Sequence, residues 1–218
     1  GFNDGDGFGF NQQDFRREQE PTGRSGFQED TAPDPNAPTA GFDLQFMVDV
    51  PLTTVALGGK IKYSYEKYVT CPACDGTGTN SDKKCNVCKG KRQVVAPAEV
   101  EVTIPPGVAD QHTLRIEKKG CEGRNGGPPG DLFLKINTLP HPRLKRVKND
   151  IYAEVIIPQK LAEEGGPLKV EALDSVQTIE VDEGTLTGEE FRIPGGGAAI
   201  MWGKKRGDFV IKFYVSDN

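Results

Sequence analysis

The chain repeats itself, and the repeat is broken in one place. Asp43-Leu44, Pro51, Gly58-Gly59 and Ile61-x-Tyr63 recur as Asp150-Ile151, Pro158, Gly165-Gly166 and Leu168-x-Val170, with every spacing kept at a constant offset of 107. Further on, Gly107, Leu114-Arg115-Ile116 and Gly130-Asp131-Leu132 recur as Gly184, Phe191-Arg192-Ile193 and Gly207-Asp208-Phe209, now at an offset of 77. The fall of 30 means that the first copy carries an insertion of that length between Tyr65 and Gly107. A chain with this self-similarity must build two like units, and the first must accommodate a small extra module.

The period inside each copy is that of a strand. Leu44, Phe46, Val48 and Val50 alternate with Gln45, Met47 and Asp49, and Ile61, Tyr63 and Tyr65 alternate with Lys62, Ser64 and Glu66. No long stretch shows a 3.6-residue period; residues 52–57 and 158–164 read as one or two helical turns, each stopped by Gly-Gly. Gly and Pro make up 43 of the 218 residues and apolar types only 35%, which excludes an ordinary helical bundle. No apolar run approaches the ~18 residues of a membrane span, so no membrane partner is expected.

Residues 1–40 contain no Ile, Leu, Val or Met; their Phe2, Phe8, Phe10, Phe15 and Phe27 are set among Gly, Gln, Pro and acids. Such a composition cannot bury enough surface to offset its ordering entropy, and it reads as a disordered Gly/Phe-rich linker. With eight acids and three bases, this segment holds the whole net charge of −5, and the remainder balances 24 acids with 24 bases. A neutral body argues against nucleic acid as the main partner, since that affinity comes largely from phosphate neutralisation. The chain lacks an initiating Met and reads as a piece of a longer protein.

Four of the five cysteines lie in the insertion, as Cys71-Pro-Ala-Cys74 and Cys85-Asn-Val-Cys88. Each CxxC turn can aim two thiolates at one point, and two such turns complete the tetrahedral sulfur shell that Zn²⁺ prefers. Gly76, Gly78 and Gly90 follow where the backbone must fold back towards the sulfurs, and residues 71–92 carry five bases against two acids, offsetting a dianionic centre. The alternatives are disulfides or a redox pair of the thioredoxin type; the latter opens a helix, which Asp75-Gly76-Thr77-Gly78 cannot begin. One structural Zn²⁺ per chain is the expectation. Cys121 has no partner in sequence and reads as a plain thiol.

The sequence therefore predicts an all-β chain of two tandem, similar, sandwich-like domains: 41–138, with a zinc module inserted at 69–98, and 139–218. Catalysis finds no support. His112 and His141 are the only histidines, neither has a nucleophile beside it, and Gly59-Lys60 is followed by Ile61, which fails the P-loop. No catalytic residue is assigned. The basic run from His141 to Lys148 could touch nucleic acid, but Leu144 and Val147 within it point to a connection between the units.

Cys71-x-x-Cys74-x-Gly76-x-Gly78 resembles the CxxCxGxG repeat of the DnaJ family of co-chaperones. The order of parts is similar too: a Gly/Phe-rich segment, a β-domain interrupted by a zinc module, then a second β-domain. Pro105-Pro106-Gly107-Val108, Gly130-Asp131-Leu132 and His141-Pro142 stand where that family has its usual motifs, and the resemblance covers residues 41–218. It departs in three places. Most zinc-bearing members have four CxxC repeats and two zinc sites, whereas this chain has two repeats, resembling the family's first and fourth, which share one zinc. No His-Pro-Asp tripeptide occurs, so no J-domain is expected in this chain. The sequence also stops where the family continues into a dimerisation module.

The resemblance implies a co-chaperone fragment that binds apolar segments of unfolded client polypeptides and presents them to a DnaK-type heat-shock chaperone. It implies a cytoplasmic location, or an organelle matrix, a monomeric fragment and a dimeric full-length protein. Counting from the cysteines, it implies a peptide groove at Leu44, Tyr63, Tyr65, Val100 and Leu134 in the first domain. The repeat-equivalent positions are Ile151, Val170, Ala172, Gln177 and Ile211, smaller and more polar at two of five. Strand addition along an exposed sheet edge is the expected mode of capture. A nucleic-acid-binding zinc module, suggested by Lys83, Lys84, Lys89, Lys91 and Arg92, and a thiol–disulfide exchanger are the two competing readings.

Overall fold

The computed structural model describes Asp34 and residues 37–216. The linker expected at 1–40 lies outside the described residues except for Asp34 and 37–40. Asn36–Asn218 forms one compact unit built around two apolar cores and a third cluster made of the four inserted cysteines.

Both copies of the repeat lay down the same elements. The first runs β1 (Leu44–Pro51), α1 (Leu52–Leu57) and β2 (Gly59–Thr70), then, beyond the insertion, β5 (Gln93–Ile104), β6 (Thr113–Ile116) and β7 (Leu132–Leu139). The insertion holds two short strands, β3 (Thr79–Asn80) and β4 (Lys83–Lys84). The second copy opens on β8 (Leu144–Val147). It continues through β9 (Asp150–Pro158), α2 (Gln159–Glu164), β10 (Gly166–Glu171), β11 (Val176–Val181), β12 (Glu190–Ile193) and β13 (Phe209–Ser216).

The pairing register repeats residue for residue. β1 runs parallel to β7 with Leu44 opposite Leu132, and β9 runs parallel to β13 with Ile151 opposite Phe209. β2 opposes β5 with Tyr63 facing Val100, and β10 opposes β11 with Val170 facing Gln177. Each copy thus has a sheet with a parallel pair and an antiparallel ribbon, enclosing a core from the inward face of every strand. The ribbon shows what the insertion did. Ala172–Ser175 closes the second ribbon as a four-residue turn, where the first ribbon continues six residues further along each strand to reach the cysteine module.

The recurring sequence marks have local causes. Pro51 and Pro158 end β1 and β9 and stand as the N-caps of α1 and α2, with φ of −57° and −68°, the range that the proline ring fixes. Gly58 and Gly165 stop those helices at φ +82°, ψ 170° and φ +70°, ψ −177°, a region only glycine occupies readily. The Gly-Asp pair before the last strand is a crossing point. The Asp43 carboxylate accepts the Asp131 N–H at 2.7 Å and Asp150 accepts that of Asp208 at 2.8 Å. A side chain on Gly130 or Gly207 would strike the backbone of Phe42 or Asn149.

The two copies differ at one edge. In the second, the sheet order β12-β13-β9-β8 covers β9, while in the first the order β6-β7-β1 ends at β1. Residues 37–40 stand one repeat before β8, but their β-pairing is limited to an isolated bridge from Thr39 to Arg124. Pro38, at the position matching Lys145, has no N–H to give a ladder.

The helices are not equivalent either. Val55 of α1 enters the first core, whereas Leu52 and Ala56 on the same short helix pack into the second. The Ala199 N–H donates to the Ala56 carbonyl at 2.9 Å, and Arg146 of β8 donates to the carbonyls of Gly107 and Val108 at 2.9 and 2.7 Å. No helix among the described residues is long and apolar enough to cross a membrane.

Candidate metal centre and peptide groove

The insertion folds as two matching knuckles. After Cys74, Asp75 and Gly76 take φ of 46° and 77°; after Cys88, Lys89 and Gly90 take 51° and 83°. These left-handed residues turn the chain back so that Thr77 N–H reaches the Cys74 carbonyl and Lys91 N–H that of Cys88, each at 2.9 Å. The β3–β4 hairpin joins the knuckles through Ser81 and Asp82, both at positive φ as a tight two-residue turn requires. The Cys71 N–H closes the base on the Arg92 carbonyl at 2.9 Å.

All four sulfurs converge within 4.8 Å of one another, with Cys71 to Cys85 at 3.9 Å and Cys74 to Cys88 at 3.7 Å. The edge of a tetrahedron with metal–sulfur bonds of ~2.3 Å is about 3.8 Å, so the cage has the dimensions of a Zn–S₄ shell. A disulfide would need sulfurs at about 2.05 Å. Burial raises the Cys74 thiol, but the Gly78 N–H donated to its sulfur at 3.3 Å and the neighbouring thiols outweigh this and bring it down to about 7. Burial dominates at Cys71 and pushes it up to about 11. Apart from Val94, the module packs nothing apolar around the thiols. A cluster of four cysteines that could hold a metal is therefore what the module carries in place of an apolar core.

The expected groove residues come together, but at different depths. Tyr63 and Leu44 are half-buried, on β2 and β1 of different sheets, and both pack against the first core; Tyr65 and Val100 are 7% exposed, and Leu134 has no exposed surface. Tyr65 also donates its hydroxyl to the Lys119 carbonyl at 2.6 Å. Leu134 and Val100 accordingly form the floor beneath the half-buried side chains. Phe46, which sequence reasoning did not single out, completes the exposed face. Its ring lies 6.1 Å from both Tyr63 and Tyr65, whose rings stack on each other at 6.1 Å with 16° between planes. The signal was available, since Phe46 shares the face of Leu44 two residues on. Burial raises the hydroxyl pKa of both Tyr63 and Tyr65.

This aromatic face adjoins strands β1 and β2, each paired with another strand along one edge only among the described residues. The second copy offers no such surface: Ile151, Ala153, Val170, Ala172 and Ile211 are all buried, and β8 covers the β9 edge.

The basic run is mostly spoken for. His141 Nδ1 accepts the N–H groups of Arg143 and Leu144 at 3.2 and 3.1 Å, making the ring the cap of a turn. Arg143 pairs with Glu171, Leu144 is buried, and Arg146 lies on backbone carbonyls. His112 sits in a turn, its own backbone bonded to Ala109 and Ile136. Cys121 is buried, with its backbone bonded to Phe42 and Gly130.

A family profile described as the DnaJ C terminal domain matches residues 44–216. The chain is similar to chaperone protein DnaJ of Haloarcula marismortui, 36% identical over 150 residues, covering 69% of this chain and 39% of that protein. It is 40% identical over 146 residues to chaperone protein DnaJ of Caldicellulosiruptor saccharolyticus, covering 67% and 38% respectively. That of Chelativorans is 36% identical over 147 residues, covering 67% and 39%. The chain spans about two-fifths of the length of these relatives. The profile match spans both copies of the repeat and the knuckles inserted in the first, and on that ground this chain belongs to the DnaJ C-terminal domain family.

Proposed function

We propose that this chain is the client-binding part of a co-chaperone, holding extended apolar segments of unfolded polypeptides for delivery to a DnaK-type chaperone. The observation that carries the reading is the open β1 edge beside a half-exposed aromatic face, a pairing the second copy lacks. An extended segment laid there would gain main-chain hydrogen bonds from an unpaired edge and set alternate side chains against Leu44, Phe46 and Tyr63. Tyr65, Val100 and Leu134 would support that face from below. We further propose one Zn²⁺ per chain held by Cys71, Cys74, Cys85 and Cys88, supplying folding energy rather than chemistry. We also propose domain limits of 41–138 and 139–218, with Leu52 and Ala56 of the first reaching into the core of the second.

An apolar, unstructured peptide labelled for fluorescence anisotropy tests the groove. Tyr63→Ser removes apolar contact worth about 1.5–3 kcal/mol when fully covered, which corresponds to a roughly tenfold or greater loss of affinity. Leu168→Ser, on the second ribbon, should leave affinity unchanged. Equal losses from the two variants, with both still folded by circular dichroism, would remove the assignment to the first copy. Metal analysis should return one zinc per chain; none, or two, would overturn the metal reading.

A further inference from the structure

Where the two copies meet, a cleft of about 720 Å³ opens that the peptide groove does not use. Its apolar surface comes from Leu52 of the shared helix, Leu139 and Pro140 at the end of β7, Leu144 of β8, and Met201. Lys145, Arg146 and Lys148 also line it, against one acid, Asp110. That carboxylate is already engaged by the Thr138 N–H at 2.8 Å. Arg146 spends its guanidinium on three carbonyls, those of Gly107, Val108 and Lys148, and has no carboxylate within ion-pair distance among the described residues. Lys145 and Lys148 are exposed and likewise have no carboxylate partner there. The lining thus combines an apolar floor with a net positive charge, three bases against one acid.

A second observation marks the same place. Trp202, the residue after Met201, is 88% exposed and held at φ +62°. Its repeat-mate is Asn125, at φ +50°, a residue that tolerates the left-handed region where a bulky indole does not. Trp202 thus places a solvated indole, in a disfavoured backbone conformation, one residue on from Met201 of the cleft lining.

We propose that this junction cleft binds a short acidic peptide segment of a partner protein, one that alternates apolar side chains with carboxylates. The apolar side chains would fill the floor, the carboxylates would meet Lys145 and Lys148, and Trp202 would close over the bound segment. Charge complementarity selects this occupant. A small anion would leave the apolar floor unused, and two free lysines in a chain of net charge −5 give a nucleic-acid backbone too little to neutralise.

Trp202 is the only tryptophan, so the closure proposed for it would be read in its emission. The probe is a blocked, labelled peptide of sequence Asp-Leu-Glu-Leu-Asp, titrated into the full chain and followed by both anisotropy and Trp202 emission. Saturable binding with a shifted emission is expected. The Asn/Gln version of the peptide, and the double variant Lys145→Glu with Lys148→Glu, should each bind about tenfold more weakly. Tyr63→Ser should bind as well as the parent. No saturable binding, equal affinity for the neutral peptide, indifference to the lysine reversals, or loss on Tyr63→Ser would each overturn the proposal. So would the same emission shift from sulfate or from a single-stranded oligonucleotide.

Discussion

A Cβ built on Gly107 would lie 2.0 Å from the Ala199 carbonyl oxygen, and the residue has φ +74°. Its repeat-mate Gly184 has φ +82° with nothing within 4 Å. The two substitutions therefore separate backbone strain from steric exclusion. Gly184→Ala should cost about 1 kcal/mol, and Gly107→Ala about 2–4 kcal/mol, read from denaturant midpoints. Equal costs would mean that the junction yields to an added methyl. Much at this scale was legible in the sequence, because CxxC spacing and the glycines after it encode a local geometry that needs no distant partner. Depth was not legible. Leu134 and Leu44 look alike in a strand pattern, yet one lies at the centre of a sheet with no exposed surface and the other lies on an edge strand. His141 and Pro142 read as a family mark; the reason, a ring nitrogen accepting two N–H groups, appears only once the turn is formed.

The element that most depends on something outside its own sequence is the cysteine module. Its stem is held by the loop after Cys121: the Glu122 carboxylate accepts the Thr70 N–H at 2.7 Å and its carbonyl accepts from Gln93 at 2.7 Å. Above the stem, only the thiols and Val94 cluster. Removing metal with a chelator should therefore free the amides of Cys71–Arg92 to exchange, while those of Gly59–Ser64 stay protected by the first core. Protection lost along the whole of β2, or kept throughout the knuckles, would contradict this. Lower pH should act in the same direction as the chelator, since protons compete with metal for the four thiolates. β1, β2 and both short helices were readable from alternation and from their proline and glycine ends, whereas β8 lies in the basic run that reads as a connection. The absent edge strand was not, because no pattern within 37–40 says that β1 will go uncovered; the one local hint is Pro38.

For the whole molecule, α1 matters most. The periodic sequence describes two separable units, and the structure ties them by placing Leu52 and Ala56 of one in the core of the other. That allegiance depends on how the copies pack, which no single-copy pattern encodes. Leu52→Ala, at a site 5% exposed, should cost about 2–4 kcal/mol and loosen both halves together, with amides of β7 and β13 losing protection in parallel. Loosening confined to β13 would show that the halves melt independently. The four-residue turn Ala172–Ser175 has a consequence of another kind. It occupies the site where the other copy tolerates a guest of thirty further residues without any shift in strand register. The architecture therefore contains both the spliced and the unspliced form of one ribbon, and the second copy offers an unused port into which a foreign hairpin could be grafted.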